Sequence, residues 1–331
     1  MIGNSDRPCN LFPETCNLNA MTDTTNTTTI GVIGGGRMGA AIAQIFAADG
    51  FDVLLVEPSE AVRSAVIGRI REISRAREQD ESIANRIELL PKITNQLASC
   101  SIVTEAAPEK LELKQQIFQQ LDAICPPATI LATNTSVIPV TDIGALTRHR
   151  QRVLGTHYWN PPYAVRLVEV VQTAHTSLEV IEKTISLMKV VGQLPVHVKR
   201  DVPGFIGNRL QHALKREAIA LVENGVCDAE TVDFVIRNSF GARLGIMGTL
   251  EQSDLVGLNL TLDIHKVILA DLDRSTAPQK LLVDLVAAGK TGASVGEGFR
   301  TWTPEQRLEL QGRLDKALLG GKSKTTDDRT S

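Results

Sequence analysis

Two ionisable residues dominate the chemistry on offer. His157 closes an apolar run over 153–157, and Glu169 is embedded in another, Leu167-Val-Glu-Val-Val171. A carboxylate among four aliphatic residues is costly to bury unless a partner satisfies it. The turn-forming residues Asn160-Pro161-Pro162 lie between the runs. A turn centred near Tyr163 sets residues 157 and 169 opposite each other. Such a pair can move a proton, because the acid orients the imidazole and stabilises its charged form. It can equally be an internal ion pair bracing a hairpin, and this stretch alone supports both readings. Both tyrosines and one of the two tryptophans also fall here.

Three further motifs carry polar chemistry. A β-branched run ending at Ile33 leads into Gly34-Gly-Gly36-Arg-Met-Gly39, a GxGxxG that opens an amphipathic helical pattern. In that setting Gly34, Gly36 and Gly39 permit a tight turn and close approach of a pyrophosphate to the helix N-terminus. Glu57 ends the second strand pattern, 18 residues after Gly39. An acid there accepts from an adenosine ribose and repels a 2′-phosphate, which favours NAD over NADP. The other reading is a glycine turn used only for strand–helix packing. Arg37 reads as a solvated side chain. Asn134-Thr-Ser136 follows a strand pattern over 129–132. It either lines the crevice at the strand's carboxyl end or forms a simple turn or cap. Asn208, in Asp201-Val-Pro-Gly-Phe-Ile-Gly-Asn-Arg209, lies far round its helix from the apolar stripe. It is a site residue or an exposed asparagine.

The elements that must position these residues alternate. Strand patterns occur at 29–33, 53–56, 102–105, 129–132, 153–156, 167–171 and 194–198. Helical patterns occur at 38–49, from 59 to about 90, at 111–124 and at 176–191. The last begins with Thr176 and Glu179 at capping-box spacing. This order predicts an α/β fold, a Rossmann-like, doubly wound parallel sheet. Beyond Asp201 the chain is almost wholly helical, at 228–237, 250–269 and 280–288. A second capping box, Thr303-Pro304-Glu305-Gln306, opens a final helix. The expected division is a disordered extension over 1–27, an NAD-binding domain over 28–200, an all-α domain over 201–318 and a flexible tail over 319–331.

Composition excludes several classes. With 331 residues and 43% hydrophobic content, the chain can bury two domain cores. A net charge of -3 argues against a general nucleic-acid binder. Five scattered cysteines without a CxxC suit a reducing compartment and no metal cluster. No run reaches the length of a membrane span. The first twenty residues lack the apolar core of a signal peptide, and Met21 is an alternative start. The expected location is cytoplasmic.

Jointly, the Gly34–Gly39 loop, Asn134-Thr-Ser136, His157-x-x-Asn-Pro, Leu167-Val-Glu-Val170 and Asp201-x-Pro-Gly-Phe-x-x-Asn-Arg209 resemble the 3-hydroxyacyl-CoA dehydrogenases, over roughly residues 28–305. The resemblance implies an NAD-binding domain followed by a helical domain that builds a homodimer. It implies NAD as cofactor, a small-molecule substrate and no metal. His157 becomes the acid/base and Glu169 its orienting partner. Ser136 and Asn208 hydrogen-bond the reacting oxygen or help place the histidine. Asn134 sits near the nicotinamide, and Glu109 and Lys114 match cofactor-contact positions. The spacings agree with the family, 21 residues from Ser136 to His157 and 12 from there to Glu169.

Some features depart from the family. Gly248-Thr-Leu-Glu251 lacks the usual proline, and Gly292-Ala-Ser-Val-Gly-Glu-Gly-Phe299 lacks the usual lysine. The helical stretch between Glu57 and Ser101 is short, where acyl-CoA members carry a longer, basic helical hairpin. Arg166 is a candidate for a substrate carboxylate or a surface residue at a strand edge. Three functions follow. The first is a 3-hydroxyacyl-CoA dehydrogenase. The second is the same chemistry on a small hydroxy acid without CoA, such as a sugar acid, a carnitine-like or a ring-bearing acid. The third is a non-catalytic NAD-binding structural protein.

Overall fold

A computed structural model describes residues 28–320. The chain opens as β1 (Thr29–Ile33), α1 (Arg37–Ala48), β2 (Asp52–Val56), α2 (Glu60–Ala76) and β3 (Ile87–Leu90). It continues through β4 (Cys100–Glu105), α3 (Leu111–Ile124), β5 (Ile130–Thr133) and the short α4 (Val140–Ile143). Then come β6 (Val153–Tyr158), β7 (Leu167–Val171), α5 (Leu178–Val190) and β8 (Leu194–Val198). The eight strands form one sheet in the order β3-β2-β1-β4-β5-β6-β7-β8. The chain reverses direction across the sheet between β1 and β4, and such a switch point opens a crevice at the strands' carboxyl ends. Two apolar clusters fill the layers. One packs α1, α2 and α5 on one face, through Ile42, Phe46, Ile70 and Met188. The other packs α3 on the opposite face, through Val103, Phe118 and Leu121.

The doubly wound expectation holds, with local corrections. The stretch read as helical to about residue 90 ends its helix at Ala76, and Ile87-Glu-Leu-Leu90 joins the sheet edge as β3. One strand pair is antiparallel: β6 and β7 form a hairpin, with Gly155 opposite Val171 and His157 opposite Glu169. That matches the register expected from the turn near Tyr163. Helix α5 is capped by the Ser177 hydroxyl rather than Thr176. The Thr176 hydroxyl instead donates to the Val153 carbonyl at 2.6 Å.

After β8 the described chain is helical: α6 (Gly207–Glu223), α7 (Ala229–Asn238), α8 (Thr249–Val256), α9 (Leu258–Ile268), α10 (Lys280–Ala287) and α11 (Pro304–Gly320). The single helix expected over 250–269 is broken at Gly257, whose φ is 96°. The second capping box forms, with reciprocal bonds between Thr303 and Gln306. These helices bury little within one chain. The α6 stripe is open at Leu210, which is 69% exposed, and α9 has no buried residue. Among the described residues no helix is long and apolar enough to cross a membrane. The expected extension over 1–27 lies outside the described residues, as does the expected tail over 319–331 from residue 321 onward, while Leu319 and Gly320 still belong to α11.

Candidate active site

The glycine loop between β1 and α1 separates two demands. Gly34 has φ 104°, and a Cβ there would lie 2.7 Å from the Ala106 carbonyl oxygen. A Cβ on Gly39 would overlap the Gly34 carbonyl oxygen. Both positions are therefore forced by the chain's own packing. Gly36 differs, because a Cβ there would meet nothing within 4 Å. It caps α1, and no side chain satisfies that helix start. An open glycine beside unsatisfied amides and a positive helix end is a cradle for a pyrophosphate. Glu57 borders it: one carboxylate oxygen accepts from the Gly35 amide at 2.8 Å and the other from Ser59 at 2.8 Å. These residues fit a dinucleotide.

Across the crevice the β6–β7 register sets His157 against Glu169. Nδ1 of His157 lies 2.8 Å from Glu169 Oε2. Both groups are buried, at 4% and 1% exposure. The other carboxylate oxygen accepts from the amides of Ile206 at 2.9 Å and Gly207 at 3.0 Å, at the start of α6. Burial alone would raise the Glu169 pKa. The His157 bond and the two amides outweigh it and hold the carboxyl below its usual range. With Nδ1 committed to a carboxylate, Nε2 is the ring nitrogen left for a ligand. Trp159 and Phe205 wall the ring, with centroids 5.4 and 5.6 Å away. The Trp159 indole is pressed on Gly207, where a Cβ would overlap it.

The remaining expected residues gather on one loop. The Asn134 side-chain oxygen accepts from the Tyr158 amide at 2.9 Å, one residue past His157. Asn208 reaches across from α6 and donates to the Ser136 carbonyl at 3.0 Å, and Ser136 itself is exposed. Glu109 accepts from the Thr135 hydroxyl at 2.6 Å and the Ser136 amide at 2.8 Å. Lys114, expected at the cofactor, is 1% exposed and bonds Glu105 at 2.7 Å and Glu109 at 3.2 Å. The structure thus joins Asn208, Ser136, Glu109 and Lys114 in one bonded chain, ties Asn134 to the residue after His157, and bonds the His157–Glu169 pair separately to the start of α6. The glycine loop and Glu57 stand apart at β1 and β2.

Two residues escaped the sequence reading. Glu105 is fully buried at the end of β4. Its signal was present, an acid closing a largely apolar strand. Phe205 has φ 51°, a left-handed conformation that is strained for a bulky side chain. No local sequence signal announces it.

Matches to known proteins fall on these same elements. The family model described as "3-hydroxyacyl-CoA dehydrogenase, NAD binding domain" matches residues 29–202, and that of the "C-terminal domain" matches 204–302. The chain belongs to the 3-hydroxyacyl-CoA dehydrogenase family. It is 30% identical to 5-formyl-3-hydroxy-2-methylpyridine 4-carboxylate 5-dehydrogenase of Mesorhizobium japonicum, over 88% of this chain and 96% of that one. It is 36% identical to a probable 3-hydroxybutyryl-CoA dehydrogenase of Bacillus subtilis, over 81% and 95%. A crystal structure of the pyridine 5-dehydrogenase, titled an NAD+ dependent dismutase, superposes with TM-score 0.80 at 28% identity over 89% and 97%. That of 3-hydroxybutyryl-CoA dehydrogenase from Escherichia coli gives 0.70 at 34% identity, over 84% and 60%. The protein is an NAD-dependent oxidoreductase acting on CH–OH groups. The non-catalytic reading is left without support.

Proposed function

We propose that this enzyme interconverts a secondary alcohol and its ketone, with His157 as the acid/base. The observation that carries this is the buried His157–Glu169 pair, 2.8 Å apart, with Nδ1 committed and Nε2 free. Bound NAD supplies the hydride acceptor in oxidation and the hydride donor in reduction. Nε2 of His157 takes the hydroxyl proton, and Glu169 stabilises the imidazolium that results. In reduction the imidazolium returns the proton to the forming alkoxide. Ser136 and Asn208 orient the reacting oxygen, and the Trp159 and Phe205 rings keep water from the imidazole. The cofactor is held by Gly34, Gly36, Gly39 and Glu57, with Asn134 and Glu109 at its nicotinamide end. The free thiols Cys100 and Cys125, both buried, fit a reducing, cytoplasmic location.

For the substrate, a small hydroxy acid without CoA is favoured. A CoA ester needs cations for its phosphates, and two arginines of α2 close to the glycine loop are engaged. Arg63 donates to the Glu57 carbonyl and Arg69 to the Gly35 carbonyl. Similarity along 96% of a relative named for a formyl-bearing pyridine carboxylate supports a substrate without CoA. The second reading is a short-chain 3-hydroxyacyl-CoA, supported by the 36% identical relative named for 3-hydroxybutyryl-CoA. Arg166 donates to the Gly192 carbonyl at 2.7 Å, which suits a surface role.

Following NADH with a panel of free oxo acids and acetoacetyl-CoA separates the two substrates. Superior turnover of the CoA ester by orders of magnitude would overturn the favoured one. His157→Ala is expected to cut kcat by about 10²–10⁴-fold. Unchanged turnover in that variant removes the mechanism. The exposed apolar stripes of α6 and α9 support a homodimer through the helical region.

A further inference from the structure

Lys114 is a buried cation that the proposed reaction does not use. It is joined to a carboxylate, Glu105, that is 0% exposed. Its ammonium bonds both oxygens of Glu105, at 2.7 and 3.0 Å, and the Ala107 carbonyl at 3.3 Å. Its other charged neighbour is Glu109, at 3.2 Å. The two carboxylates grip different things. Glu105 accepts from the Thr133 hydroxyl at 2.7 Å and the Ala107 amide at 2.6 Å, which ties the end of β5 to the end of β4. Glu109 accepts from the Thr135 hydroxyl and from the amides of Ser136 and Val137, at 2.8 and 3.3 Å for the amides. The loop held this way presents Asn134 to the Tyr158 amide and the Ser136 carbonyl to Asn208.

A buried ion pair is a poor device for stability alone, since apolar residues of similar volume often do as well. It is a good device for fixing geometry, because each oxygen and each N–H has a directed partner. We propose that Glu105 and Lys114 are positioning residues whose buried ion pair, extended through Glu109, holds the 134–137 loop in register with the strand that carries His157. The consequence for turnover rests on the reading of His157 as acid/base. The consequence for the loop does not.

The test uses Lys114→Met in the full chain, with Lys114→Met/Glu105→Gln as a second variant that leaves no uncompensated charge at Glu105. Amide hydrogen exchange is read without substrate, and NADH binding by its fluorescence. Ser136 and Val137 are expected to exchange about tenfold faster in a variant that melts cooperatively, with β1 unchanged. At the same time kcat is expected to fall about tenfold while KM changes less. Unchanged exchange at Ser136 and Val137 overturns the proposal. So does a dissociation constant weakened tenfold at unchanged kcat, which would make Lys114 a cofactor contact. Because exchange needs no turnover, it decides this role even where the proposed reaction fails.

Discussion

At the scale of single residues, Glu169 does two jobs with two oxygens. One oxygen holds Nδ1 of His157 and the other holds the first amides of α6. Replacing it by glutamine keeps the shape and removes the charge. Glu169→Gln is expected to lower kcat about 10²-fold, with NADH affinity unchanged in a fluorescence titration. The His157 bond and the two amides hold the carboxyl below the usual glutamate range, so the folded state favours its ionised form. That contribution is complete above the unfolded pKa and is lost as pH falls through the folded one. Thermal melts from pH 7 downward should therefore show a steeper acid-side loss of Tm in wild type than in Glu169→Gln. The pairing of His157 with Glu169 was legible, because an acid in an apolar run demands a partner and a turn between two runs fixes the register. The pairing of Lys114 with Glu105 was not, because the resemblance offered Lys114 only as a cofactor-contact position and Glu105 only closed a strand pattern.

At the scale of elements, the glycine loop separates what packing needs from what the cofactor needs. Gly39→Ala drives a methyl group into the backbone oxygen of Gly34, which cannot rotate away. A loss of about 2 kcal/mol in a denaturant melt is expected. Gly36→Ala meets nothing in the protein, so its melt should match wild type. Its NADH affinity should fall about tenfold, because the methyl occupies the approach to the helix start. Equal effects of the two substitutions would contradict this division. Strand and helix periodicity made most of the sheet legible. The Ile87–Leu90 strand was missed because its run is short and follows a long charged helix. The break at Gly257 was missed because apolar residues continue on both sides of it.

At the scale of the whole molecule, the two halves differ in completeness. The sheet and its helices bury two full layers of side chains within one chain. Past Phe205, only Ala220 and Val232 among the described hydrophobic residues are buried. Exposed leucines and isoleucines along α6 and α9 would cost too much in water for a lone subunit. Sedimentation is expected to give a dimer, and Leu262→Glu with Val267→Asp to give a monomer of reduced Tm. The helical character of this half was readable from its periodicity. Which faces meet was not, because one sequence cannot show what a second copy supplies.

The Glu169–α6 tie also makes the molecule divisible in a useful way. A cut within 199–203 separates a fragment carrying the histidine and its acid from one carrying the amides that complete the acid's bonding. Docking of the second fragment restores those bonds. Coupled oxidation of NADH then becomes an optical reporter of fragment complementation.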